Sequence, residues 1–363
     1  MKIPKIGQGT GHKGENADVF YQDLESNVFN VRFAVDNGLD LIDTAEIYCE
    51  GRSEKIIGLA IKNIRNQVKI ASKFSPNNHR REDINKSIVG SLDRLGTDYL
   101  DLYQIHWPNE KVPLEETLAA MFDLQRKGVI LEVGLCNFSR SQLSRAVLIA
   151  SECNSKIFSV QIKFNLNDQF AYRQIETICT ENKINIIAYS PLRNVLGQQN
   201  KRIESLEKIA SELGKTPAQI ALKWVVSHKG VSTIPESSRL DRILEFASVG
   251  QGELEENYLS LLSSVFENIV EDMDVTKISS RNVVRAESVN DLSQKEIQSF
   301  SDDFCPSIID LASEIKTGNF LQPILVRIKP EDSKMYEIVE GELRYWAFVY
   351  CFGRDSKIPV TIV

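Results

Sequence analysis

The sequence predicts an α/β protein, a (β/α)8 TIM barrel followed by a small α+β domain. Between Ile6 and about Val249, short β-rich runs alternate with amphipathic stretches, the pattern of repeated strand-helix units and a parallel sheet. Eight such units can be counted, which matches the roughly 250 residues of a closed barrel. The chain then continues to residue 363, far enough for a second domain with strand and helix patterns of its own.

The barrel strands read IGQGT, LDLIDT, VKIASKF, LDLYQIH, EVGLCN, FSVQIKF, INIIAYS and VSTIP, each followed by Leu, Ile, Val or Ala at helical spacing. An open doubly wound sheet would want a Gly-x-Gly-x-x-Gly turn after an early strand. Here the glycines are 7, 9 and 11, and His12 takes the third place. Thr216-Pro217-Ala218-Gln219 is a capping box with proline at the first helical position, and it opens the helix that leads to VSTIP. Past Gln251 an acidic amphipathic helix is expected through VEDMDV, placing the domain boundary at 274/275. Residues 275–363 read as a helix around DLASEIKTG, a strand QPILVRI, a return YEIVEG, a helix LRYWAFVYCFG and a final strand IPVTIV.

Composition narrows the function. Hydrophobic and charged fractions of 42% and 26% are ordinary for a globular protein, and no apolar run approaches the ~20 residues that span a bilayer. The start MKIPKIGQGT lacks the apolar stretch of a secretion signal, so a cytoplasmic protein is expected. The net charge of -7 offers no general attraction for nucleic acid, and residues 275–363 hold 11 Lys and Arg against 13 Asp and Glu, so DNA binding is not expected. The six cysteines form no Cys-x-x-Cys, and the four histidines never stand at i and i+4; no metal is expected.

Four ionisable residues close three successive apolar runs: Asp43 and Tyr48 after LDLI, Lys73 in VKIASK, and His106 in LDLYQIH. In a barrel these strand ends line the active-site face. Reduction of a carbonyl needs a hydride donor, a proton donor and groups that make that donor acidic enough. Tyr48 is suited to donate the proton, and the Lys73 ammonium to lower its pKa. Asp43 would pair Lys73, and His106 would orient the carbonyl. Singly, Asp43 reads as a helix cap, Tyr48 as a surface aromatic and His106 as a core histidine. Together they point to an enzyme.

The motifs GLDLIDTAEIYCEGRSEKIIGLAI, VKIASKF, LDLYQIHWPN, GLCNFS, VQIKFN, IIAYSPL and VSTIPESSRLDRILE, in order over about residues 3–250, resemble the aldo-keto reductases. The resemblance implies a barrel that reduces aldehydes or ketones by hydride transfer from a nicotinamide cofactor, NADP or NAD. It implies that Asp43, Tyr48, Lys73 and His106 form the catalytic tetrad. It also implies that Asn137 and Gln161 hold the carboxamide and that Tyr189 stacks on the ring. Gly9, Thr10, Asp43, Ser190 and Leu192 then follow the cofactor, and Ser237, Arg242 and Glu245 contact its adenosine end. A plain turn remains the alternative for Gly9 and Thr10. Trp107, and the positions around Tyr21 or Tyr48, would line the substrate mouth. Glu236 stands where many members have Lys or Gly and is repulsive to a 2′-phosphate unless Arg239 compensates.

In the last block FLQPILVR, YEIVEGELRYWAF and IPVTIV resemble the N-terminal fold of ParB-type partition proteins, shared with sulfiredoxin. That resemblance implies possible nucleotide binding at Gly341, Glu342 and Arg344, with a solvated helix turn as the equal alternative. For the whole chain, the alternative to a reductase is a non-catalytic cofactor-sensing or nucleotide-binding regulator that uses the barrel as a scaffold.

Overall fold

Period-two alternation along short parallel strands sorts side chains between a barrel interior and the layer beneath its helices. The computed structural model describes residues 1–11, 23–109, 111–196, 201–267, 270–279, 308–316, 323–329, 332–352 and 356–362; His12 and Tyr21 fall outside these. The strands are β1 (Gln8–Gly9), β2 (Leu41–Asp43), β3 (Lys69–Phe74), β4 (Leu100–Ile105), β5 (Ile130–Cys136), β6 (Ser159–Lys163), β7 (Asn185–Tyr189) and β8 (Val231–Thr233). They pair in parallel in sequence order. The Gly7 N–H donates to the Thr233 carbonyl at 2.9 Å, and a parallel bridge from Ile6 to Thr233 closes the sheet on itself.

The helices over this sheet are α1 (Leu24–Asp36), α2 (Arg52–Ile61), α3 (Arg81–Leu95), α4 (Leu114–Arg126), α5 (Arg140–Glu152), α6 (Phe170–Asn182), α7 (Lys201–Glu212), α8 (Pro217–Ser227), α9 (Leu240–Ala247) and α10 (Glu256–Val265). Outward strand residues such as Ile42, Ile70, Tyr103, Val133 and Ile162 share one core with them. Inside, Leu41, Ala71, Leu102, Phe158, Ile187 and Ile234 form an apolar plug. Two residues further along β2, β3, β4 and β7, still facing inward, come Asp43, Lys73, Gln104 and Tyr189. A polar layer thus lies on the plug at the strand C-termini. The expected capping box at Thr216 is present, and Ser139 forms a second one at α5.

The chain divides into two compact units, Met1–Phe266 and Glu267–Val363, so the boundary falls eight residues before the expected one. The expected acidic helix ends at Val265, and β9 (Val270–Asp274) is instead an edge strand, antiparallel to β13 (Lys357–Ile362). The second sheet has five strands in the order β10 (Ile278–Ser279), β12 (Asp332–Glu340), β11 (Ile324–Lys329), β13 and β9. With α11 (Ile308–Lys316) and α12 (Glu342–Phe352) it encloses its own core, which includes Ala312, Val326, Trp346, Phe348 and Val360. Among the described residues no helix is long and apolar enough to cross a membrane.

Close approach of α2 to α3 depends on Gly58, where a Cβ would lie 2.7 Å from the Arg94 carbonyl oxygen and 2.8 Å from Leu95. Alanine in an open helix gains about 1 kcal/mol over glycine. Gly58→Ala is expected instead to destabilise the barrel by roughly 1–3 kcal/mol through overpacking, read as a lower denaturant midpoint at unchanged slope.

Candidate active site

The polar layer is organised by an ion pair between neighbouring strands. The Lys73 ammonium donates to Asp43 Oδ1 at 2.6 Å and to the Thr44 carbonyl at 2.7 Å, and it reaches the Tyr48 hydroxyl at 3.5 Å. Lys73 and Asp43 are 2% and 3% exposed. A pair so deep is tolerated because further groups satisfy it. Gln161 and Gln104 donate to Asp43 Oδ2 at 3.1 and 3.4 Å. The His106 ring stands edge-on to Tyr48, 5.7 Å between centroids. Sequence placed these four at three strand exits, and the structure gathers them at one point.

Tyr48 is held by a strained turn. Cys49, Glu50 and Gly51 follow it at φ of 46°, 57° and 81°, three left-handed residues in succession. Left-handed conformations in residues other than glycine cost of order 1–3 kcal/mol each and concentrate at functional sites. Gly51 is required, since a Cβ there would lie 2.6 Å from Arg94 Cδ. Arg94 in turn pairs with buried Glu54 at 2.7 Å, which accepts from Ser72 at 2.5 Å.

Burial opposes the charge on Lys73, but the Asp43 carboxylate outweighs it and holds the ammonium well above its ordinary range. Burial lifts the Asp43 carboxyl, against the pull of Lys73 and of the two glutamine amides. The phenol corrects one expectation. Lys73 does pull the Tyr48 pKa down, yet burial together with the Asp43 charge pushes it up to about 12 rather than below 10. Tyr48 therefore keeps its proton throughout the neutral range.

An open cavity of about 230 Å³ covers this layer. Its described walls include Gly9, Asp43, Tyr48, Lys73, His106, Trp107, Asn137, Gln161, Tyr189 and Ser190. Tyr189 donates to Asn137 Oδ1 at 2.8 Å, and Asn137, at φ 61°, donates to the His106 carbonyl at 3.1 Å. Gly11 also lines it, and a Cβ there would meet the Tyr48 ring at 3.0 Å, so glycine keeps the phenol accessible. Amides, a phenol ring and a glycine cradle make a donor set that fits a nicotinamide.

Five expected cofactor residues are not among the described walls. Thr10 donates to the Asp43 carbonyl at 2.9 Å and shares a hydrogen bond with Ser53, and Leu192 packs against the core. Ser237 accepts from the Arg239 N–H at 3.1 Å. Arg242 is paired with Glu245 at 2.5 Å, and Glu245 also accepts from Thr216. Arg239, the possible compensator, is paired with Asp241 at 2.5 Å, while Glu236 reaches the cavity wall. Arg193 and Cys136 also line the cavity, and Gln104 lies beneath it. Cys136 stands where the family more usually has Ser, and its thiol donates to Gln161 Oε1 at 3.1 Å, while alternation from Leu102 turns Gln104 inward. In the second unit Gly341, at φ 104°, immediately precedes α12, whose first turn holds Glu342 and Arg344, and Glu342 accepts from the Trp346 indole at 3.1 Å.

A model of the aldo/keto reductase family matches residues 5–266. The chain belongs to the aldo/keto reductase family. The ParB N-terminal domain matches residues 272–363, so this aldo-keto reductase carries a ParB-like second domain. The reductase is 31% identical over 270 residues to methylglyoxal reductase YeaE of Escherichia coli K12, covering 73% of this chain and 92% of that protein. It is 31% identical to a glyoxal reductase of Bacillus subtilis, covering 65% and 82%. Among solved structures, an aldo/keto reductase from Klebsiella pneumoniae in complex with NADP and acetate matches with a TM-score of 0.65 at 28% identity, over 73% of this chain and 92% of that one. The thermostable aldo-keto reductase Tm1743, in complex with the inhibitor epalrestat, matches with 0.64 at 36%, over 72% and 95%.

The reductase's cavity wall at Trp107 is fixed from behind. Buried His79 donates through Nε2 to the Trp107 carbonyl at 3.0 Å, a role that sets its tautomer because a carbonyl only accepts. Burial brings this imidazole from 6.5 down to about 4, against the pull of that carbonyl. Between those values the unfolded chain binds a proton that the folded state refuses, so stability falls as pH drops through this window, by up to about 3 kcal/mol. His79→Gln, which keeps an amide donor, is expected to flatten that part of the acid dependence in urea midpoints taken between about pH 7 and pH 4.

Proposed function

We propose that this chain reduces a small aldehyde or ketone by direct hydride transfer from NADPH, with Tyr48 as the proton donor. The observation that carries this is the Tyr48 hydroxyl 3.5 Å from an ammonium that is itself locked to Asp43, in a cavity open at the strand C-termini. When bound, the dihydronicotinamide supplies the hydride that reduces the carbonyl carbon. His106 offers a hydrogen bond to the carbonyl oxygen and orients it. Tyr48 gives that oxygen its proton as negative charge develops on it, and Lys73 steadies the phenolate left behind. Asn137 and Gln161 would hold the carboxamide, Tyr189 would cover the ring, and Trp107 would border the substrate. The printed activities of the bacterial relatives make methylglyoxal and glyoxal the first substrates to try.

Tyr48→Phe is expected to lower kcat/KM by about 10²–10⁴-fold while NADPH binding, followed by fluorescence titration, stays close to wild type. Equal turnover in the variant would remove Tyr48 from its role, whereas a wild-type protein that binds NADPH but turns over no carbonyl would favour the scaffold alternative. Glu236 sets the second expectation. An acidic wall residue, with Arg239 engaged by Asp241, weakens the hold on a 2′-phosphate. Glu236→Lys is expected to tighten NADPH about tenfold with little effect on NADH, measured as the two dissociation constants.

A further inference from the structure

Beneath the cavity floor, one buried side chain touches the catalytic carboxylate without lining the cavity. Gln104 is 0% exposed on β4, and its Nε2 lies 3.4 Å from both Asp43 Oδ2 and Gln161 Oε1. Gly134 makes room for it, since a Cβ there would be 2.9 Å from Gln104 Cγ. The amide orientation is fixed by its neighbours. Its nitrogen faces two acceptors, and Gln161 Oε1 also accepts from the Cys136 thiol at 3.1 Å, so Gln161 turns its own nitrogen to Asp43. The Gln104 carbonyl oxygen is buried with no hydrogen-bond partner among the described residues. A buried amide with one unsatisfied end is worse for stability than an apolar residue of the same shape. Its retention calls for another reason, and the geometry supplies one.

We propose that Gln104 is a positioning residue of the reaction, which keeps the Asp43 carboxylate ionised and aimed at Lys73. The inference rests on the reductase reading above. The groups facing Asp43 are the Lys73 ammonium from β3, the Tyr48 phenol from the turn after β2, the Cys136 thiol from β5, and the amides of Gln104 and Gln161. Lys73 takes Oδ1, and the two amides share Oδ2. Both amides donate only to the charged carboxylate's advantage, opposing the burial that lifts its pKa. Losing one raises the pH at which Asp43 takes a proton. Once neutral, Asp43 no longer holds the ammonium against its own burial.

The test is the pH profile of kcat/KM for NADPH-dependent reduction of methylglyoxal by the full-length protein, wild type against Gln104→Met and Gln104→Glu. In Gln104→Met, which keeps the side chain's length without a donor, the acid limb is expected to move up by about one pH unit, with the melting temperature unchanged or raised. Gln104→Glu sets a second carboxyl against Asp43, and its acid limb is expected to move further. It also serves should the Met variant not fold. An acid limb that coincides with wild type in whichever variants fold overturns the inference and leaves the reductase reading standing. A lower melting temperature with an unmoved limb does the same, since it shows a purely structural amide. A wild-type protein that reduces no carbonyl removes both.

Discussion

The Asp43–Lys73 ion pair is the constraint around which the reductase unit is arranged. Two opposite charges this deep lose several kcal/mol each on leaving water, and their attraction offsets that only where the geometry is held and the remaining hydrogen-bonding capacity is filled. Adjacent parallel strands provide the hold. Asp43 and Ala71 are register partners on β2 and β3, so Lys73 enters two residues further along the neighbouring strand, on the same face. The Thr44 carbonyl and the amides of Gln104 and Gln161 provide the filling. Residues from β2, β3, β4 and β6 thus converge on two charges, which a closed sheet achieves and a set of loops does not.

The phenol follows from that arrangement. A free ammonium beside Tyr48 would make it strongly acidic, but this ammonium is already paired with Asp43, and partial burial opposes the phenolate charge. The outcome is a phenol that is protonated at neutral pH and lies 3.5 Å from an ammonium already paired with a carboxylate. The left-handed residues from Cys49 to Gly51 sit next to it, anchored through Arg94 and Glu54.

Much of this was legible in the sequence because parallel strands impose a strict period. LDLI, VKIASK and LDLYQIH end on Asp43, Lys73 and His106, and alternation alone brings their inward residues to one rim. The same alternation turns Gln104 inward, but an amide inside an apolar run carries no charge or nucleophile that would mark it as functional. The net pKa of Tyr48 was not legible, since it is a balance of burial against two charges and only the charges are visible in a sequence. The domain boundary was missed for a different reason. The acidic VEDMD segment continues a helical pattern locally, and its strand conformation comes from pairing with Lys357–Thr361, more than eighty residues away. Thr10 stands in a motif that points to the cofactor, yet its hydroxyl is used to fasten the Asp43 backbone.

The apolar plug and the polar layer also depend on each other. Leu41, Ala71, Leu102, Ile187 and Ile234 close the barrel below the site, so the charges above them are not reached by water from beneath. That low-dielectric floor strengthens the hold of Asp43 on Lys73, and it is also what lifts the pKa of the carboxyl and of the phenol. Among the described residues, the pair opens toward the cavity, where Gly11 leaves the Tyr48 ring uncovered. A ligand that fills this cavity would exclude solvent from the side on which the layer is open, and such exclusion strengthens the electrostatic interactions of a site.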